Sequence, residues 1–533
     1  MGPQVVYLPD GQHFTVTPVF AGLFFKSNDL STHQHAFPIG WTIVIHTEDN
    51  TNSGNDNNDD EGHANSTSSP SEGKPHVHSF TKPTLQSDGL FISSISNPSN
   101  SEFKPAASPT RQIAMMLWVT LYWYFHQPPP PTTITTQASK QTPKSGKPQG
   151  EWRVRVKRDG VLRGRNLIPK LERMGLIASF NSAVGTALED TDNVWANMFV
   201  SQRMFWQIPG RLFLFTLQPT GNTVARSYPG SPTPSRPCSP APAGRGYDTQ
   251  KPPQLVIAEA GDVPGAAPPV SLTSVPSFPI GPFFSASHLP TYYPPPPLQY
   301  TMTNHVRHPL RPKPPRMGEV FYTRFIPSVG QYLSFRVASV SPKPVPYMGP
   351  VGADKSPSSA SAPASSQQRL SSMTDSALLE MWHANPRVSR FWGKYAPSML
   401  ASALQSRHSF PAIGLWGGVP FGYFELYWVK EDLLGRYAGS ASATDDWDRG
   451  CHVLVGEEWA RGRVQSWLTS LVHWMFCADN RTMSVCLEPR VDNARFIRHL
   501  EDAGFTKEKE ITFPHKQAWF GRLRRETWDG PAL

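Results

Sequence analysis

The stretch from Cys451 to Phe505 constrains the fold more than any other part of the chain. Cys451-His-Val-Leu-Val-Gly456 has the composition of a strand. It enters a turn carrying Arg461, Gly462 and Arg463, and then a segment in which Val464, Trp467, Leu468, Leu471, Val472 and Met475 recur at helical spacing. Ser484–Leu487 reads as a second strand. Asn493 is placed to cap a helix over Ala494–Ala503, which Gly504 ends. The order is therefore strand, arginine-bearing turn, helix, strand, helix. The first helix offers free N–H groups and a positive dipole end at the turn, where a glycine permits close backbone approach, and this suits a phosphate.

The rest of the 533 residues divides by composition. Residues 1–218 read as an N-terminal α/β domain. Its strands are expected over Val5–Tyr7, Phe14–Val16, Phe20–Phe25 and Trp41–Ile45, and its helix over Ile113–Phe125. A polar insertion covers residues 49–73, too poor in large apolar side chains to pack. Ser93 to Pro109 reads as extended and loop-like. Glu151–Val156 alternates like a strand, and Leu167–Ile177 reads as a short helix. Many of the chain's 56 prolines crowd into a linker over residues 219–315. Residues 316–533 form the second domain, with a Ser/Ala/Pro insertion near 341–372. There Val320–Thr323 and Tyr332–Val337 are ordered, Ser376–Asn385 is helical, Ala412–Trp416 and Phe421–Val429 form a hairpin, and Gln517–Arg522 is a final strand. No internal repeat is visible in the residues.

Composition excludes several classes. The formal charge of +9 is spread along the chain, which gives only a weak attraction to anions. Cys238, Cys451, Cys477 and Cys486 form no CxxC pair, so reduced buried thiols are expected, and no metal site. Ile113–Phe125 is too short to span a bilayer. No secretory signal is visible at Met1-Gly-Pro-Gln-Val-Val-Tyr7, and the Pro531-Ala-Leu533 tail lacks the basic residue of a peroxisomal address, so a cytoplasmic setting is expected. A helix, the basic strand Glu151–Val156 and a short helix also allow a second reading, a winged-helix nucleic-acid binder. Basic residues on a strand are more often a solvated face, so nucleic acid is not the expected partner.

Beyond the turn, five stretches carry a resemblance. They are Trp382-His-Ala-Asn-Pro-Arg-Val388 with Phe391-Trp-Gly393, Pro420-Phe-Gly-Tyr-Phe-Glu-Leu-Tyr-Trp428, Asp448-Arg-Gly-Cys-His-Val-Leu-Val-Gly456, Glu488-Pro-Arg-Val-Asp-Asn493 and Phe513-Pro-His-Lys-Gln517. Together they span about 140 residues. The region from Gln331 onward resembles the GNAT acyltransferases. It is most similar to the siderophore-biosynthesis branch: fungal N5-hydroxyornithine acyltransferases, aerobactin-type hydroxylysine acetyltransferases and the mycobactin lysine N-acyltransferase.

The resemblance implies an α+β fold, a mixed twisted sheet flanked by helices, and direct acyl transfer from acyl-CoA to a hydroxylated amino acid, with lysine or hydroxylysine as alternative acceptors. It also implies association with siderophore synthetases. Under it His452 and Asp492 are the catalytic candidates, with Glu488 as the fallback acid. Leu454, Val455 and Gly456 would face the thioester and pantetheine; Arg461, Gly462, Arg463, Val464 and Asn493 would hold the pyrophosphate. Glu425, Tyr427, Arg449, Glu488, His515 and Lys516 are candidates for the amino-acid pocket, and Arg387 is a further candidate for its carboxylate. Direct transfer needs a neutral amine, aligned reactants and donors for the oxyanion. A hydroxylamine is already largely neutral near pH 7. Cys451 and His452 are strand neighbours and point to opposite faces, which argues against a Cys–His acyl-enzyme.

Overall fold

The computed structural model describes residues 2–28, 40–48, 76–96, 109–164, 166–179, 198–214, 298–352, 364–439 and 444–533. The expected insertion over 49–73, the linker as far as residue 297, residues 353–363 of the second insertion and Cys238 lie outside them.

The first half contributes strands β1 (Gln4–Tyr7), β2 (His13–Val19), β3 (Gly22–Ser27), β4 (Gly40–Glu48), β5 (Val77–Ser79), β6 (Asp88–Ser96), β7 (Arg153–Val156) and β8 (Phe199–Ser201). They form one sheet in the order β1-β2-β3-β4-β6-β7-β8, with β5 on β4. Every pairing is antiparallel except β6–β7, which the Pro109–Tyr124 helix connects. That helix is buried from Ala114 to Tyr124, which explains its near-continuous apolar sequence. The segment read as a loop from Ser93 is in part β6.

The second half begins with a hairpin, β9 (Tyr300–Thr303) and β10 (Val306–Pro309), inside the stretch read as linker. Arg311 just after it reaches Glu431 through Nε and Nη2 at 2.6 and 2.7 Å, a buried pair that ties the segment down. The second sheet follows: β11 (Val320–Ile326), β12 (Gln331–Val337), β13 (Ser409–Trp416), β14 (Val419–Trp428), β15 (Arg449–Val455), β16 (Ser484–Leu487), β17 (Thr506–Thr512) and β18 (Gln517–Arg524). Its order is β11-β12-β13-β14-β15-β16-β18-β17. Again one pairing, β15–β16, is parallel, and a helix, Val464–Ala478, connects the two strands. The two halves thus repeat one topology: five antiparallel strands, a crossover helix, a parallel strand and an antiparallel neighbour.

β7 is interior to its sheet. Arg155 and Lys157 both pair with Glu48, and Arg153 pairs with Glu151. This basic strand is an ion-paired sheet element, and the winged-helix reading is corrected accordingly. A single hydrophobic cluster runs through both halves. Polar contacts join them too: Tyr332 Oη donates to Leu8 O at 3.1 Å, and the Trp206 and His473 rings meet edge-on at 5.5 Å. No described helix is long and apolar enough to cross a membrane.

Candidate functional site

The site is built where the second sheet opens. β15 and β16 are paired only through Arg449↔Val485 and Gly450↔Cys486; beyond these the strands part. On the other side of β15 the antiparallel register sets His452 opposite Glu425. Side chains alternate along a strand, so Tyr423, Glu425 and Tyr427 share the face of His452. Glu488, one residue past β16, stands at the opening.

These groups are joined. His452 Nε2 lies 2.9 Å from Glu488 Oε1, and Nδ1 lies 3.3 Å from Glu425 Oε2. Tyr427 Oη donates to Glu488 Oε2 at 2.6 Å, and Tyr423 Oη donates to Glu425 Oε1 at 2.7 Å. Lys516 Nζ donates to Glu488 O at 2.8 Å and is 3.5 Å from its Oε1. The Tyr427 ring lies 4.7 Å from the imidazole. It can do so because Gly450 has no Cβ, which would strike that ring. The result is a chain of hydrogen bonds, Tyr423–Glu425–His452–Glu488–Tyr427, that is buried at Glu488 and open at His452, whose side chain is 35 % exposed.

Electrostatics follow from this packing. Burial alone would lower the His452 pKa, but the Glu488 charge and the Glu425 and Glu488 hydrogen bonds raise it to about 10. Burial would raise Glu488, yet the His452 charge, then its hydrogen bond, Lys516 and Tyr427 bring it down to about 2. Burial, the largest influence, opposes ionisation of Glu425, but the hydrogen bond and charge of His452, with the Tyr423 hydrogen bond and the His408 charge, together outweigh it and lower its pKa. At neutral pH the centre is therefore an imidazolium between two carboxylates. Cys451, Cys477 and Cys486 are free and buried. Burial, followed by the charge of Glu488, pushes the Cys451 thiol far up, so it is no nucleophile.

The opened edge of β15 is specific about its donors. Gly456 N–H donates to Phe421 O, on the β14 side. Alternation along the strand turns Leu454 N–H the same way, and leaves Val453 and Val455 directed into the opening. Of the three residues expected to face a pantetheine arm, Val455 is the one whose N–H is directed there. Trp392 Nε1 donates to Val453 O at 3.0 Å and stands in for the missing sheet partner. Gly456 serves packing: a Cβ there would run into the Trp382 ring, whose Nε1 donates to Glu457 Oε1 at 2.8 Å.

At the turn, Glu458–Arg463 forms a 3-10 helix ahead of Val464. Arg461 is half-buried and, among the described residues, has Glu458, 4.0 Å away, as its one ion-pair partner. No neighbouring atom crowds Gly462. Arg463 differs from expectation. It is buried, bonded to Gln331 Oε1 at 2.9 Å, and lies over the Trp416 and Trp459 rings, so it is spent on packing. Asn493 precedes the Ala494–Asp502 helix without a side-chain capping bond.

Other expected residues are not brought together with His452. Asp492 is exposed and paired with Arg490 Nη2 at 2.8 Å and Arg390 Nη2 at 3.4 Å. It lies beyond the Glu488-Pro489 turn, so Glu488 reaches the imidazole and Asp492 does not. Arg449 points to the opposite face from His452; it is buried over Trp428 and bonded to Thr482 Oγ1 at 3.3 Å. His515 is exposed beside the Phe513 ring. Arg387 Nη2 donates to Gly456 O at 2.9 Å, at the turn that follows β15 and away from the amino-acid pocket expected for it. Tyr423 and Trp392 lie in the stretches that carry the resemblance but are not among the expected site residues. The period-two spacing Tyr423-x-Glu425-x-Tyr427 is the signal that places Tyr423 on this face.

The first half supplies an internal comparison. Matching the parallel registers, Gly89↔Arg155 and Leu90↔Val156 to Arg449↔Val485 and Gly450↔Cys486, sets Ile92 at the place of His452. Ile92 faces Ile43 as His452 faces Glu425, and Ile45 takes the place of Tyr427. All three isoleucines are buried. The same scaffold is thus filled with apolar side chains in one half and with linked ionisable groups in the other.

Residues 371–513 match the acetyltransferase (GNAT) domain model. Over 542 aligned positions the chain is 56 % identical to an N5-hydroxyornithine acetylase of Beauveria bassiana, covering 97 % of this chain and 100 % of that protein. The chain belongs to the N5-hydroxyornithine acetylase family. This GNAT acyltransferase is also 36 % identical to an N(6)-hydroxylysine O-acetyltransferase of Escherichia coli, over 39 % of its own length and 56 % of that protein. It is 30 % identical to a hydroxyornithine transacylase of Ajellomyces capsulatus, over 45 % of its length and 50 % of that protein. The first of these matches takes in both halves.

Proposed function

We propose that this acyltransferase transfers an acyl group, in the simplest case acetyl, from acyl-CoA to the hydroxylamine nitrogen of N5-hydroxy-L-ornithine, giving a hydroxamate for siderophore assembly. The observation that carries the reading is the His452 imidazolium held between Glu425 and Glu488 on the open edge of a GNAT sheet.

In the proposed mechanism the neutral nitrogen attacks the thioester carbonyl, and a C–N bond forms as the C–S bond breaks. Val453 and Val455 N–H groups, free along the opened strand, suit the pantetheine arm and the developing oxyanion. Attack makes the nitrogen cationic and strongly acidic, so Glu425 suffices as proton acceptor despite its lowered pKa. Protonating Glu425 weakens its hold on His452 Nδ1. The imidazolium, with a pKa of about 10, can then protonate the departing thiolate. Proton return from Glu425 to His452 across the 3.3 Å contact resets the site. Glu488, Tyr427 and Lys516 hold the imidazole in place. The buried, free cysteines and the acyl-CoA donor fit a cytoplasmic setting, and the hydroxamate product suits the siderophore synthetases that assemble such units.

The similarity to an E. coli N(6)-hydroxylysine O-acetyltransferase supports one alternative acceptor, a hydroxylated lysine. The test is release of coenzyme A thiol from acetyl-CoA with N5-hydroxyornithine, N6-hydroxylysine, ornithine and lysine in parallel, wild type beside His452→Ala. Turnover confined to hydroxyornithine and lost in the variant is expected. Preference for hydroxylysine would replace the acceptor, and turnover undiminished in His452→Ala would overturn the mechanism.

A further inference from the structure

Three helices converge beside the turn that follows β15. The Pro386–Trp392 helix brings Arg387 to Gly456 O. The Val464–Ala478 helix starts at the turn itself, and its Gln465 Nε2 donates to His499 O of the Ala494–Asp502 helix at 2.8 Å. Trp467 stacks on Phe496, with ring centroids 6.4 Å apart, and fixes the same two helices together. Arg495 therefore comes within range of Arg461, and Arg495, Arg498 and His499 line a shallow depression on the outer helix.

The carboxylates near the cluster are Glu458 beside Arg461 and Asp502 near His499. Arg387 and Arg495 lie close enough to Arg461 to oppose its charge. Among the described residues, the one carboxylate paired with Arg461 is the exposed Glu458 at 4.0 Å. Among the described residues no ion pair forms at Arg387, Arg495 or Arg498, while the nearby Asp492 is taken up by Arg490 and Arg390. Repulsion among like charges is tolerated where an anion is to arrive, and guanidinium groups match phosphate oxygens in pairs.

The arrangement has an order. His452 lies on β15, Arg387 reaches the end of that strand at Gly456 O, Arg461 is in the turn that follows, and Arg495 and Arg498 are exposed on the neighbouring helix. Under the acyl-CoA reading above, on which this inference rests, Arg387 and Arg461 fall at the pyrophosphate. We propose that Arg495 and Arg498 bind the 3′-phosphate of the coenzyme's ribose, so that the protein selects coenzyme A over its dephospho form. That phosphate monoester carries about two negative charges at neutral pH, for which two exposed arginines are the fitting complement.

The test is calorimetric titration of the full chain with coenzyme A and with dephospho-coenzyme A. Wild type should bind coenzyme A roughly ten- to a hundredfold more tightly, the range for losing hydrogen bonds to a charged group. Arg495→Ala/Arg498→Ala should bind both forms with the weaker affinity, and Arg387→Ala should weaken both by a similar factor. Equal wild-type affinities, or a preference that survives in the double variant, would overturn the assignment. Both arginines are exposed, and Arg498→Ala alone gives a milder check with an intermediate preference. Acetyl transfer is measured separately. Transfer without phosphate preference defeats this inference alone, whereas the preference without transfer to any amine defeats the functional reading alone.

Discussion

Replacing Glu488 by Gln tests the electrostatics of the site with little change in shape. Glu488 is nearly buried, while the imidazole it holds 2.9 Å away is about a third exposed. Solvent on one side of the pair calls for a high effective dielectric constant, about 40. Two unit charges at that distance then interact by roughly 3 kcal/mol, equivalent to about 2 pKa units. Glu425 remains on Nδ1. The His452 pKa, about 10 in the wild type, should accordingly fall to roughly 8 in Glu488→Gln.

The assay is a ¹³C-histidine NMR titration of the whole protein, with His452→Asn used to assign the resonance. The same variant should lose about a hundredfold in kcat/KM, since the imidazole is less firmly held and the acid–base pair less well matched. An unchanged or raised His452 pKa in Glu488→Gln would refute the claim that Glu488 sets the charge state of the centre.

Tyr427→Phe removes the 2.6 Å hydrogen bond to a buried carboxylate and should destabilise the fold by about 1.5–3 kcal/mol, read by chemical denaturation, with a loss of activity. Asp492→Asn should leave kcat within a factor of a few of wild type in the thiol-release assay, because that carboxylate faces solvent between two arginines. Gly456→Ala drives a Cβ into Trp382 and should lower stability by about 1–3 kcal/mol in thermal or urea unfolding. Stability should also depend on His452 in alkaline solution. Its folded pKa is raised from 6.5 to about 10, so its contribution is full below pH 6.5 and is lost as pH rises through about 10. Glu488 has the opposite sign: its folded pKa is lowered from 4.5 to about 2, so its contribution is present above 4.5 and is lost as pH falls through about 2. Melting temperatures from pH 6 to 10 should fall less steeply in His452→Asn than in the wild type.

The acyltransferase half was legible wherever a face is buried. β13, β14, β15, β16 and the Val464–Ala478 helix follow apolar periodicity because each packs against the core. β17 was not legible, since Thr506-Lys-Glu-Lys-Glu510 is exposed on both faces and carries the alternating charges of an edge strand. At the site the sequence marks His452 and Glu425 separately, Glu425 as a candidate for the amino-acid pocket; their pairing follows from the β14–β15 register, which is not visible along the chain. Whether Glu488 or Asp492 would reach the imidazole depends on how sharply the chain turns at Pro489, a tertiary detail without a local sequence signature. Arg463 shows the same limit: an Arg-Gly-Arg turn is indistinguishable in sequence whether its second arginine faces a phosphate or stacks between two tryptophans.

The repeated topology separates what the scaffold supplies from what the side chains add. Both halves possess the parallel splay and the crossover helix, so that geometry alone does not confer chemistry. In the N-terminal half the three key positions are Ile43, Ile45 and Ile92, and hydrophobic burial there needs no partner beyond good packing. In the C-terminal half the equivalent Glu425, Tyr427 and His452 must each be satisfied, and Glu488, Tyr423 and Lys516 do so. Partial conversion toward the apolar pattern should therefore be worse than complete conversion. Glu425→Ile alone leaves an imidazolium and a tyrosine without their partner and should destabilise the protein more than the combined Tyr423→Phe/Glu425→Ile/Tyr427→Phe/His452→Ile/Glu488→Leu replacement, by about 1–3 kcal/mol in denaturant unfolding. If the single variant proves the more stable of the two, the polar chain contributes net stability of its own, and its presence in only one half would need no functional explanation.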